Sequence, residues 1–191
     1  CSVNGTSSGI VQITDCYVAG IAGYNEGSIS HCTNSASVSG KYRNGYNAYL
    51  SGIAAVNYGH VTMCENCGKI DEGCSGGIVG FNYKNVSECK NYGDGGNGGI
   101  AYDNNGTISL CNNYASMIGA GICVSNFGGV VTDCNNFGTI RGENWAAGIV
   151  HDQMAGASCI RCCNYGNIYS EKEASGICNS SSSDSVIAFC S

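Results

Sequence analysis

The chain has 191 residues, a net charge of −6, only 12% charged residues and no proline. A thinly charged acidic chain without a basic run excludes a phosphate-gripping nucleic-acid surface, and no window of about 18 apolar residues offers a membrane span. Glycine (30 residues) and cysteine (15 residues) are both far above ordinary usage, and that much cysteine suits a chain outside the reducing cytosol.

Cys1 opens the chain without an initiator Met, which reads as a mature or excised segment. Residues 1–20 carry two short units, with Cys1, Cys16 and Cys32 only 15 and 16 residues apart; they are expected to form a narrow first coil or a cap. Residues 20–38 read GIAGYNEGSISHCTNSASV. Residues 40–51 (GKYRNGYNAYLS) interrupt the pattern as an inserted loop. Its Tyr42, Tyr46 and Tyr49, beside Lys41 and Arg43, form a candidate binding surface, because loops on repeat scaffolds carry recognition.

The pattern returns at 52–70 (GIAAVNYGHVTMCENCGKI), 77–93 (GIVGFNYKNVSECKNYG), 99–118 (GIAYDNNGTISLCNNYASMI) and 121–140 (GICVSNFGGVVTDCNNFGTI), with looser copies at 148–168 and 176–190. Between Cys64, Cys89, Cys111 and Cys134 the steps are 25, 22 and 23 residues. Smaller polar bulges are expected at 71–76, 94–98, 141–147 (with the single Trp145), 171–175 and 180–185.

No unit holds an apolar run with helical periodicity; each is two or three short apolar pieces broken by Gly and Asn. Short strands joined by fixed bends at this period predict an all-β chain, one domain over 1–191. It is a right-handed parallel β-solenoid of about eight coils of roughly 22–25 residues with loop insertions. The lack of proline fits, since every rung must donate its N–H groups to a neighbour.

In a solenoid, equivalent residues stack roughly 4.8 Å apart, so the alignment predicts columns. The anchor cysteines Cys1, Cys16, Cys32, Cys64, Cys89, Cys111, Cys134, Cys162 and Cys190 form one inward column. Ile13, Ile29, Val61, Val86, Ile108, Val131, Cys159 and Ile187, three residues earlier, form a second. The Ile of each Gly-Ile pair forms a third. Asn34, Asn66, Asn91, Asn113, Asn136 and Asn164, two after each anchor, are expected to form a polar ladder that holds a bend. Asn25, Asn57, Asn82, Asn104 and Asn126 form a second Asn column. Tyr92, Tyr114, Phe137 and Tyr165 align three after the anchor; facing outward, they would make an aromatic strip able to stack on sugar rings or on a neighbouring subunit. Thr14, Ser30, Thr62, Ser87, Ser109 and Thr132 form a hydroxyl column.

Equivalent Cβ atoms on adjacent rungs sit farther apart than a disulfide allows, so the anchors read as small buried hydrophobes. Cys67, Cys74, Cys123, Cys159, Cys163 and Cys178, off that column, are the expected disulfide partners. Cys64/Cys67 and Cys159/Cys162 have metal-like spacing, but the two pairs lie several coils apart and cannot share one zinc ion. The 14 acids are scattered. The column just before the anchor holds Asp133 and Glu88 but also His31, Met63 and Leu110, so it is no catalytic row. His151 and Asp152, adjacent on a strand, are expected on opposite faces. No catalytic residue, metal or cofactor is assigned.

The aligned unit, GIxxxNxGxIxxCxNxGxI, resembles the GLUG-motif repeat, in its cysteine-bearing form in secreted and surface-anchored bacterial proteins. The resemblance covers nearly the whole chain, best over 20–168. It implies a bacterial, extracellular or cell-surface location and a stalk, adhesin or accessory role, and carries no activity over to any residue. The expected function is thus a non-enzymatic structural repeat: a surface stalk or adhesin rod, or a filament subunit; the chain is expected either to be part of a longer repeat chain or to self-associate end to end. The alternative is a module that binds carbohydrate or a host surface through the aromatic strip or the 41–50 loop; a polysaccharide-degrading enzyme stands third.

Overall fold

The computed structural model describes the strands Ser2–Val3 and Thr6–Ser8 and residues 16–40, 48–71 and 73–191. Among the described residues every element is a short strand and every strand pairing is parallel. Three seven-stranded sheets wrap one core. The first face stacks Ala22–Asn25, Ala54–Asn57, Val79–Asn82, Ala101–Asn104, Cys123–Asn126, Val150–Gln153 and Cys178–Ser181. The second stacks Ser28–Ser30, His60–Thr62, Asn85–Ser87, Thr107–Ser109, Val130–Thr132, Ser158–Ile160 and Val186–Ala188. The third stacks two-residue strands from Ser2–Val3 to Cys163–Asn164. The chain is a parallel β-solenoid.

The sequence columns are the register. Ile108 pairs with Val86 and Val131, and Asn113 with Asn91 and Asn136. Ile53, Ile78, Ile100, Ile122 and Ile149 are fully buried, as are Cys64, Cys89, Cys111, Cys134 and Cys162, and they share one continuous core cluster. From Cys64 to Cys190 the anchor sulfurs follow one rule: the thiol donates to the carbonyl two residues back and to the carbonyl of the preceding rung's apolar column. For Cys111 these acceptors are Ser109 at 3.2 Å and Val86 at 3.8 Å. Burial pushes the Cys111 and Cys134 thiols above their ordinary range, so they pack as small neutral hydrophobes.

Both Asn columns are buried hydrogen-bonded ladders. In the first, Nδ2 donates to Oδ1 of the next rung at 2.8–3.0 Å from Asn34 through Asn164. Each side chain also closes its own corner: Asn113 Oδ1 accepts the Ala115 N–H at 3.3 Å and its Nδ2 donates to the Ala115 carbonyl at 3.0 Å. The second ladder runs from Asn25 to Asn126 and passes to Gln153, which replaces Asn at 3.1 Å.

Four expectations are corrected. Coil length ranges from 22 to 32 residues rather than 22–25, because insertions enter between rungs without breaking the ladders. Cys16 is not in the anchor column: Cys16–Ala19 pairs with Ala48–Ser51 in a short wall sheet, since a spacing of 16 residues cannot complete a coil whose shortest turn is 22. Residues 48–51 are strand, not inserted loop, with Leu50 buried and Tyr49 beside Tyr17. The expected polar bulges at 71–76, 141–147 and 171–175 contain the strands Cys74–Gly76, Ile140–Gly142, Trp145–Ala147 and Glu173–Ser175. Cys1, Ile13, Thr14, Lys41, Tyr42, Arg43 and Tyr46 lie outside the described residues.

One column has backbone meaning invisible in its side chains. His31, Met63, Glu88, Leu110, Asp133, Arg161 and Phe189, each just before an anchor, all adopt φ of 52–57°. This left-handed corner disfavours residues with a Cβ by about 1–2 kcal/mol. Leu110 is also 55% exposed, so little packing is at stake. Leu110→Gly is therefore expected to stabilise the fold by about 0.5–1 kcal/mol after the greater chain entropy of Gly is deducted. A higher urea midpoint checks it.

Candidate functional site

With the ladders committed to the interior, chemistry is left to the outward columns. Tyr92, Tyr114, Phe137 and Tyr165 form a continuous stack, with ring centroids 4.9, 5.0 and 5.1 Å apart and planes within 10°. Each ring is 41–65% exposed. Because register fixes the spacing, the rings occupy one another's faces and present a ribbed edge to solvent. Tyr165, the most exposed, has no ring stacked beyond it among the described residues. Cys67 holds the same offset one rung before Tyr92 and is also exposed.

A second aromatic group lies on another side. Tyr58 and Tyr83 stack face to face, 4.4 Å apart and 1° from parallel. Tyr24 joins Tyr58 at 5.4 Å, and Phe81 links Tyr83 to Tyr49 and on to Tyr17. Alignment on the anchor cysteine missed this group. The signal was the residue following each second-ladder Asn, which is Tyr58, Tyr83 and Phe127 in three rungs. Tyr49, expected in an inserted binding loop, is a member of this packed group.

Polar side chains assemble on the first face. Register stacks Asp103, Ser125 and Asp152 on successive rungs. Burial raises the Asp103 carboxyl to about 6, opposed by a hydrogen bond from Ser125. Beside this column, the Trp145 ring stacks on His151 at 3.7 Å. His151 Nδ1 lies 3.1 Å from Asp152 Oδ2, at an angle that makes no hydrogen bond, and is buried. The expectation that His151 and Asp152 point to opposite faces is therefore overturned. In these strands two residues separate the inward positions, as Val150 and Gln153 show, so the intervening pair shares the outer side.

The Asp103 shift gives a pH dependence. A folded pKa above the unfolded one means that stability is full below the unfolded pKa, near 3.8, and is lost as pH rises through about 6. Discounted for partial exposure, the fall between pH 4 and pH 7 is about 1 kcal/mol. Asp103→Asn should abolish it in denaturation midpoints taken across that range. Asp133 acts in a separate window. Arg161 grips it through two bonds of 2.7 Å and Thr132 adds a third, which holds its carboxyl down to about 2. Its contribution is present above pH 4 and fades only as pH falls through 2.

The remaining acids do not converge. Glu65 pairs with Lys90 at 3.2 Å on the exposed third face. A shallow groove of about 460 Å³ lies between rungs, where Arg141 sits 4.5 Å above the Tyr169 ring beside Glu143 and Glu171. Among the described residues no group of three His, Cys, Asp or Glu side chains is arranged to hold a metal ion. The expected bridging cysteines are a correction: Cys67, Cys74, Cys123, Cys159, Cys163 and Cys178 are free thiols. Cys64 points inward and Cys67 outward, on opposite sides of the wall. Cys32 is disulfide-bonded. Among the described residues no helix is long and apolar enough to cross a membrane.

No family model matches this chain, and neither a curated protein nor a solved structure does.

Proposed function

We propose that the chain is an extracellular structural module without enzymatic activity, whose rungs are continued either by further repeats of a longer chain, as in a surface stalk or adhesin rod, or by copies stacked end to end, as in a filament. One observation carries the reading: the buried columns run through rung after rung, and the last rung leaves them open. Ile187 is 42% exposed and Ile177 and Cys190 are only partly buried, where their counterparts Cys159, Ile149 and Cys162 are sealed. Strands Cys178–Ser181 and Val186–Ala188 pair on one side only. Open parallel edges over exposed apolar columns are the surface that another rung of the same register covers. The GLUG-like repeat supports the same role. Sedimentation velocity over a concentration series tests the stacking branch: the weight-average size should grow steadily with concentration, and a single species of constant size would sink end-to-end stacking in favour of a segment of a longer repeat chain.

The half-exposed Tyr92–Tyr165 stack supports a second reading, a carbohydrate- or host-surface-binding face. There Tyr114→Ala should remove glycan binding on an array and leave the melting curve in place. An array with no bound glycan for the parent chain counts against it.

A further inference from the structure

The thiol rule of the core has one exceptional rung. Each anchor sulfur lies against the carbonyl of the apolar column one rung earlier, at 3.7–3.8 Å for Cys64, Cys89, Cys111, Cys134 and Cys162. In those rungs the residue approached is Ile29, Val61, Val86, Ile108 or Val131, which offers no sulfur. For Cys190 it is Cys159, with Cys190 Sγ 3.6 Å from its carbonyl oxygen. The two sulfurs are 4.0 Å apart. The other nearby thiol, Cys162, also lies against the Cys159 sulfur, but its Sγ is engaged by the Ile160 and Val131 carbonyls, to which it donates. Its backbone N–H donates to Cys190 Sγ at 3.4 Å and so helps to seat that sulfur over Cys159. Cys159 is buried, whereas Cys190 is partly exposed. One partner is thus held and the other is open to reagent.

We infer that Cys159 and Cys190 form a redox modification site, a dithiol that a disulfide-class oxidant converts to an intramolecular disulfide closing the last coil. The Cys190 thiolate attacks one sulfur of the oxidant, here oxidised glutathione, and expels one glutathione thiolate. The Cys159 thiolate then attacks the Cys190 sulfur of the mixed disulfide and expels the second. Two protein thiols and one glutathione disulfide become one protein disulfide and two glutathione thiols, which carry the two protons. The sulfurs must close from 4.0 Å to bonding distance, which side-chain rotation supplies without changing the rung register. The bond closes a loop whose ends lie 31 residues apart, tying the last coil to the sealed coil beneath it. This inference does not depend on the structural-rod reading; it holds for a binding module equally.

The test treats the 191-residue protein, with its Cys32 disulfide in place, with oxidised glutathione, quenches it with an alkylating agent and maps the new cross-link by non-reducing peptide mass spectrometry. The expected result is a loss of two hydrogens relative to the untreated protein and a single new peptide pair, Cys159–Cys190. Hydrogen exchange across 168–188 should slow by about tenfold once the loop is closed. Cys159→Val, which restores the residue type of its column, should fold and lose both effects. Cys190→Ser should do the same. A cross-link from Cys190 to Cys162, to Cys163 or to another chain would overturn the assignment. So would two free, alkylated thiols at Cys159 and Cys190 after a treatment that fully oxidises a dithiol peptide control, or a mass loss that persists in Cys159→Val.

Discussion

Gly121→Ala is expected to destabilise the fold by about 3 kcal/mol or more, although Gly121 adopts no left-handed backbone and a propensity argument alone would call the change mild. The reason is space. A Cβ on Gly121 would collide with the carbonyl oxygen of Gly148 on the next rung and with the Asn136 side chain. Gly52, Gly77, Gly99 and Gly148 meet the same two obstacles, always the next Gly carbonyl and the ladder Asn opposite. Neither can retreat, because the carbonyl is held by the wall and the Asn by four hydrogen bonds. Gly176 holds the same repeat position on the last rung, yet its Cβ would meet nothing within 4 Å. Gly176→Ala should therefore shift the urea midpoint little. Equal penalties at 121 and 176 would show that backbone propensity, not the approach of the next rung, governs this column.

Asn113→Ala is expected to be comparably severe, about 3–5 kcal/mol. Its side chain accepts from Asn91 and from the Ala115 N–H, and donates to Asn136 and to the Ala115 carbonyl. All of these groups lie in a fully buried corner. Truncation strands several of them at once, and each unsatisfied buried group costs about 1–3 kcal/mol. The neighbouring Asn112 is the control. It lies on the outer side of the same strand, half-buried, and accepts a single bond from Asn135. Asn112→Ala should cost under about 1 kcal/mol. Denaturant midpoints compare the two directly, and similar losses would mean that the inner ladder is decorative.

These two positions show why much of the fold was legible in the sequence. Gly, Ile, Cys and Asn recur at fixed offsets because each meets its own copy one rung away, so the physical constraint repeats with the coil. The Gly and Asn signals are one constraint seen from two sides, since the Asn ladder fills the space a Cβ on the Gly column would need. What failed was whatever the anchor cysteine could not index. Asp103, Ser125 and Asp152 line up only when counted from Gly-Ile, and insertions after Gly121 shift them against the cysteine. Tyr58 and Tyr83 share one offset from the anchor, but the next two rungs place Asn105 and Gly128 there, so the aromatic column breaks off. Cys16 mimicked an anchor by identity while its register belongs to the wall. The left-handed corner at Met63, Leu110 and Arg161 left no trace, because an exposed corner accepts many side chains and the sheet on either side holds the strained backbone.

The proposed rod makes Gly176 its most informative residue. In every sealed rung, the next rung's carbonyl occupies the space where a Gly Cβ would stand; a second copy stacked in register would do the same at Gly176. Electron microscopy of the parent chain beside Gly176→Ala, each with and without reductant, therefore tests the central claim most directly. The account predicts fibres of stacked subunits for the parent and isolated short particles for Gly176→Ala, whose melting curve should match the parent's. Isolated particles for the parent under every condition, or unchanged fibres from Gly176→Ala, would contradict it.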